Sequence, residues 1–213
     1  MSDRKKVVVI GAGGHSHSVC DILLQDKEIN IVGLIDGYAE SGFYGIPLIG
    51  GDDRLAEIFS DKTADHAFVA IGSNKLRHKL TSDLLRIGYK LVNAISPQSR
   101  ISQYATISDG IAVMAGAVIN AGASIGSGCI INTNCSIDHD THISEFVHIA
   151  PGCAVCGNVH VGEETFLGVG TCVIDGIAIG GHSMIGAGAA VTKDIPDNCT
   201  AVGVPAKVIK HNL

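Results

Sequence analysis

Ten histidines are spread along the 213-residue chain, and only His139 stands between two carboxylates, in the run Asp138-His139-Asp140-Thr141-His142. An imidazole takes and returns protons near neutral pH, and a carboxylate bonded to one ring nitrogen fixes the tautomer and raises the basicity of the other. The run therefore reads as a general base with an orienting acid; a solvated polar corner is the alternative. A second chemistry lies near the start, where the apolar run Val7-Val8-Val9-Ile10 is followed by Gly11-Ala12-Gly13-Gly14-His15-Ser16. Glycines between a strand and a helix let phosphate oxygens approach backbone N–H groups, and Asp36, ending a second apolar run at Ile31–Ile35, suits a ribose or base. Ser16 holds the third fingerprint position, where a dinucleotide site wants Gly, so a single nucleotide is the expectation. A glycine turn without a ligand is the bland alternative.

The elements that must carry these residues follow from periodicity. Counting by six from Ile95, through Ile101, Ile107 and Val113 to Val191, all seventeen positions are Ile, Val or Leu. Four residues after the aliphatic the side chain is nearly always small, as at Ala117, Ala123, Cys129, Cys135, Thr141 and Cys153, and the second hexad position is often Gly, Ser, Asn or Asp, which suggests a turn there. This is the pattern of a solenoid of short parallel strands, three hexads to a coil, with residues eighteen apart stacked about 4.8 Å from one another. The composition agrees: 46% hydrophobic residues, only 4% aromatic, 27 glycines and no Trp suit a prism too narrow for rings. The columns then place Gly157 beside His139, leaving room at the glycine, and put Val169 with Ala187, His142 with His160, and Cys135 with Cys153.

The residues ahead of the repeats have another rhythm. Strands are expected at 7–10, 31–35, 67–71 and 90–93, and helices over 17–25 and from Gly72-Ser73-Asn74 to Ile87, an alternation that makes a small parallel sheet. The domains are thus 1–92, an α/β Rossmann-like sheet, and 93–213, an all-β parallel helix with a C-terminal tail. A net charge of −6 with few aromatics argues against nucleic acid as a partner. The apolar stretch Ile111–Ile119, interrupted by Gly116, is half a membrane span, and the charged Asp3-Arg4-Lys5-Lys6 leads into a strand rather than a cleavable signal, so a cytoplasmic protein without membrane insertion is expected. Seven cysteines, an odd number, read mostly as reduced small hydrophobes, and Cys153-Ala-Val-Cys156 lacks a second pair to complete a metal site.

The hexads resemble those of the hexapeptide-repeat acyltransferases, which implies a left-handed β-helix, a homotrimer and active sites between adjacent prisms. Together with Gly-Ala-Gly-Gly-His-Ser, Leu34-Ile35-Asp36 and Ala70-Ile71-Gly72-Ser73-Asn74 with Arg77, the chain resembles the bacterial sugar O-acyltransferase family. That family includes N-acetyltransferases of nucleotide-linked 4-amino-4,6-dideoxy sugars and sialic acid O-acetyltransferases. The resemblance implies acetyl-CoA as co-substrate, no metal, and transfer to the 4-amino group of a UDP-linked sugar, with dTDP or GDP as other nucleotides. A hydroxyl acceptor and a non-catalytic nucleotide-sugar scaffold are the alternatives. It also implies roles: His139 as base and Asp140 as its orienting acid; His148, in Glu145-Phe146-Val147-His148, with Gly157, Val169, Ala187 and Lys207 along acetyl-CoA; and Gly13, Gly14, His15, Asp36, Gly72, Asn74 and Arg77 around the nucleotide-sugar. Next to His139 the expected gap would admit the thioester, and the Gly157 N–H would face its oxyanion.

Overall fold

The computed structural model describes residues 4–212. The chain divides into two units, Met1–Ala94 and Ile95–Leu213. In the first, the elements run β1 (Lys5–Ile10), α1 (Gly14–Leu23), β2 (Ile29–Ile35), β3 (Leu48–Gly50), α2 (Leu55–Ser60), β4 (His66–Val69), α3 (Asn74–Ile87) and β5 (Lys90–Leu91). The strands form one parallel sheet in the order β3-β2-β1-β4-β5. Val7 to Ile10 are all buried, as a central parallel strand covered on both faces requires. The chain leaves β1 toward β2 on one side and returns to β4 on the other, so a crevice opens at the C-terminal ends of β1 and β4. Two features depart from the sequence expectations. Helix α1 starts at Gly14 rather than residue 17, because extended Gly13 already caps it. The segment between residues 37 and 66, assigned nothing from its pattern, holds the three-residue edge strand β3, a 3-10 turn at Asp52–Arg54 and α2.

The second unit is a left-handed parallel β-helix. Two-residue strands run from Ala94–Ile95 to Ala190–Val191, each ending on the aliphatic of its hexad, and they stack into three sheets. Partners are eighteen residues apart without a shift: Ile119 with Ile137, Ile125 with Ile143, and Ile131 with Ile149. One continuous core of aliphatic and small residues fills the prism, from Ile111 to Ala201. The corner falls elsewhere than the composition suggests. From Gly110 to Gly188 the residue with positive φ is the fourth of each hexad, not the second, and the series includes Gly116, Gly122, Asn134, Asp140, Gly152, Asn158 and Gly170. Beyond Val191 the repeat stops, and Cys199–Val202 pairs with Met184–Ile185 while Lys207–His211 folds back antiparallel on it.

Ile149 tests this packing, since its side chain is fully buried in the prism. Ile149→Ala removes buried methylenes that the rigid coils cannot close over, and should lower the unfolding free energy by about 3 kcal/mol, read from denaturant midpoints. A loss below about 1 kcal/mol would mean that the wall relaxes into the space.

Candidate active site

His139 stands at a corner of the prism, between the strands Ser136–Ile137 and His142–Ile143. Asp140 takes the left-handed corner position at φ 57°, which turns its carboxylate back toward the ring, and Oδ2 lies 3.0 Å from His139 Nδ1. An Asp tolerates this conformation better than most residues because its short side chain bonds locally. Its carboxylate fills the space over Gly122 in the preceding coil, where any side chain on residue 122 would collide with Oδ1. Asp138 does different work: its Oδ1 accepts the His139 backbone N–H at 2.8 Å and the Asn120 side-chain amide at 2.9 Å. Those two donors hold the Asp138 carboxyl below the usual range. The bond to Asp140 pushes the His139 pKa up against the opposing effect of desolvation, and the charges of Asp138, Asp140 and Asp175 add to the rise. With Nδ1 bonded to the acid, Nε2 is the nitrogen left to take a proton, on a ring 54% exposed.

The expected gap at Gly157 is not a gap. A Cβ on residue 157 would sit 2.6 Å from His139 Cε1 and 2.8 Å from Nε2, so the imidazole itself lies flat across the glycine. Glycine is needed there to seat the ring, and the space it frees is taken by the imidazole rather than left for a thioester. The Gly157 carbonyl accepts from Gly176, while its N–H has no acceptor among the described residues. His148 lies on the next wall, with Nε2 3.2 Å from the Asn132 side-chain amide and its ring edge-on to Phe166 at 5.1 Å. Val169 and Ala187 are both exposed, on another corner, eighteen residues apart. Lys207 begins the last strand, exposed and paired with Val202. Asn120, Asn132 and Phe166 were not singled out from sequence, although adding eighteen to 120 and to 148 leads to 138 and 166.

The crevice of the first unit collects the other candidates. Gly13, Gly14 and Gly72 face open space. Gly11, at φ +104°, lies so close to the end of β4 that a Cβ would be 3.0 Å from the Ala70 carbonyl oxygen, so the two loops are held side by side. Asp36 ties the first loop to the end of β2: Oδ2 accepts from Ala12 N–H at 2.8 Å and Oδ1 from Tyr38 and Ala39. Partial burial alone would raise its pKa, but these three N–H groups hold it below the ordinary value. Arg77 departs from the expected contact with substrate. It is 1% exposed, and its guanidinium donates to the Ile71 and Gly72 carbonyls and to Asn74 Oδ1, so it shapes the loop after β4 from behind. His15 is held near pKa 4, by burial and then by the Arg77 charge, and is neutral at pH 7. A cavity of about 570 Å³ at the opposite ends of β1 and β4, among Arg4, Lys6, Lys62 and His66, contains none of these groups.

His142 and His160 form an outward column, rings 5.9 Å apart, with His142 Nδ1 2.7 Å from Ser124 Oγ. Cys135 and Cys153 are buried free thiols that donate to the Ala150 and Gly168 carbonyls. Among the described residues no three His, Cys, Asp or Glu side chains converge as a metal site would need, and no helix is long and apolar enough to cross a membrane.

Known proteins match this arrangement. The model of the PglD N-terminal domain matches residues 6–84. The structure of PerB from Caulobacter crescentus in complex with CoA and GDP-perosamine is 40% identical, with a TM-score of 0.90 over 96% of this chain and 97% of that one. The acetyltransferase domain of PglB from Neisseria gonorrhoeae, in complex with acetyl coenzyme A, is 35% identical, with a TM-score of 0.92 over 97% of this chain and all of that domain (100%). WeeI from Acinetobacter baumannii is 26% identical, with a TM-score of 0.85 over 96% of this chain and 100% of that one. A comparison with curated protein sequences gives no match.

The geometry at His139 predicts its titration. Asp140→Asn removes the charged acceptor at Nδ1, so the His139 midpoint followed by NMR should fall toward its ordinary value near 6.5. Asp138→Asn should move it less, since Asp138 bonds the backbone rather than the ring. Equal shifts in the two variants would remove Asp140 from its role.

Proposed function

We propose a specific reaction on one premise: the chain belongs to the nucleotide-sugar N-acetyltransferases of the hexapeptide-repeat family. The reaction is transfer of an acetyl group from acetyl-CoA to the 4-amino group of a nucleotide-linked 4-amino-4,6-dideoxy sugar, in the cytoplasm, as a step toward a surface glycan. The first unit binds the nucleotide-sugar. Gly13, Gly14 and Gly72 receive the phosphates and sugar at the open crevice, beside His15, Asp36 and Asn74, and Arg77 supports that loop from within. Glycine loops read phosphate rather than base. UDP is the nucleotide the sequence resemblance favours, whereas the complex of PerB with GDP-perosamine makes a GDP-linked sugar the first substrate to assay.

The second unit carries the transfer. Neutral His139 Nε2 takes a proton from the amine as its nitrogen attacks the thioester carbonyl; a C–N bond forms and the oxyanion is held by the Gly157 N–H. The C–S bond then breaks, and the imidazolium returns the proton to the CoA thiolate. Asp140 keeps the proton on Nδ1 and stabilises the charged ring. His148, Gly157, Val169 and Ala187 line the acetyl-CoA path, with Lys207 toward its phosphates. The observation that carries this reading is the ring of His139, bonded at Nδ1 and laid across a glycine whose N–H is unspent. The protein works as a homotrimer, for which the exposed aliphatics Val169, Ile174 and Val204 supply apolar surface.

Wild-type protein with labelled acetyl-CoA should acetylate a GDP- or UDP-linked 4-amino sugar, giving an amide that survives mild alkali. His139→Asn should lower kcat by about 100-fold or more with CoA affinity retained in calorimetry. An alkali-labile ester would point instead to a hydroxyl acceptor, and full activity without His139 would refute the assignment. Sedimentation should give three times the monomer mass; a monomer that retains full activity would count against sites shared between subunits.

A further inference from the structure

Thr141 is fully buried inside the prism, two residues after the candidate base. Its hydroxyl donates to the Cys156 carbonyl at 2.8 Å and lies 3.4 Å from the Val159 N–H, so it grips the next coil on both sides of Gly157. The Cys156 carbonyl and the Gly157 N–H belong to one trans peptide, in which C=O and N–H point in opposite directions. A bond that draws the carbonyl inward toward Thr141 therefore turns the Gly157 N–H outward, and the His139 ring lies against the same glycine.

We infer that Thr141 is a positioning residue for acetyl transfer: by fixing the Cys156–Gly157 peptide plane it aims the Gly157 N–H at the developing oxyanion. This rests on the reading of Gly157 as oxyanion donor. The bond itself is a general device of this solenoid, because Cys135, Cys153 and Thr165 donate in the same way to carbonyls fifteen residues on, at Ala150, Gly168 and Gly180. The peptide that follows differs from corner to corner. After Ala150 comes Pro151, which has no N–H, and after Gly180 the Gly181 N–H is taken by Asp197; after Gly168 the Val169 N–H has no acceptor among the described residues, but no histidine lies against it. At Gly157 the N–H has no acceptor among the described residues, and the His139 ring lies against the same glycine. A donor common to many coils thus has a chemical use where His139 stands.

Thr165 supplies the control, since its hydroxyl makes the equivalent pair of contacts, to the Gly180 carbonyl at 2.7 Å and the Ser183 N–H at 3.1 Å. Thr141→Val keeps the volume and removes the donor. It should lower kcat by at least about tenfold, short of the roughly 100- to 1,000-fold seen when an oxyanion donor is removed outright because the N–H is misaimed and not lost, with KM for acetyl-CoA changed less than about twofold. Thr165→Val should lose similar thermal stability and keep kcat within about twofold. Thr141→Ser should restore kcat, and Thr141→Cys, which keeps a weaker donor and a filled prism, should fall between and serves if the Val variant does not fold. Wild-type kcat in Thr141→Val, or in a folded Thr141→Cys, overturns the inference, as does an equal loss in Thr165→Val. If wild-type protein transfers no acetyl group, the parent reading fails with it; an active wild type beside an unaffected Thr141→Val sinks this inference alone.

Discussion

Backbone hydrogen bonds between coils set the terms for the second unit. Asp138 N–H donates to the Val155 carbonyl and His142 N–H to the Val159 carbonyl, and the same step of seventeen recurs along each wall. With the ladder closed in this way, no residue chooses its neighbours: those above and below it are fixed at eighteen positions either way. At the corner of His139, each large side chain has a glycine stacked against it. Asp140 lies over Gly122, Phe146 over Gly128, and His139 over Gly157. His139 and Asp140 occupy the corner because two glycines, each one coil away, make way for them.

The same constraint decides what the interior can hold. Three walls this close leave room for one aliphatic and one small residue per hexad, and where the small residue is Thr or Cys it finds a carbonyl fifteen residues on. Buried hydroxyls and thiols are thus satisfied without water, in keeping with the penalty for leaving such groups unpaired. The first unit solves a different problem. Its two glycine loops carry no bulk of their own, and their shapes come from charged groups behind them, Asp36 for the loop after β1 and Arg77 for the loop after β4.

Much of this was legible in the sequence because its rules are periodic. A strict six-residue repeat fixes strand, wall and column at once, so the aliphatic core and the pairing of His142 with His160 follow from counting. His139 was legible from its flanking carboxylates, but the choice between Asp138 and Asp140 depends on φ at residue 140, which the run of letters does not carry. The glycine at 157 was found and its use misjudged, since counting says which residues stack but not which side chain bends into the space. Arg77 was assigned to the substrate on motif alone; burial turned its guanidinium inward. Strand β3 and helix α2 escaped because an edge strand of three half-buried residues has no period to read.

The uninterrupted register also governs how such a chain can change length. Each coil of the prism contacts only the coils above and below, so excising eighteen residues well away from His139 would bring equivalent walls together and leave the corner geometry as it was. Excising six would rotate everything beyond the cut by one wall, setting an aliphatic under an aliphatic as before but carrying His139 away from the surface it serves. For the core, then, the unit of inheritance is the hexad; for the site it is the whole turn, and lineages of this fold can lengthen freely only in steps of three hexads.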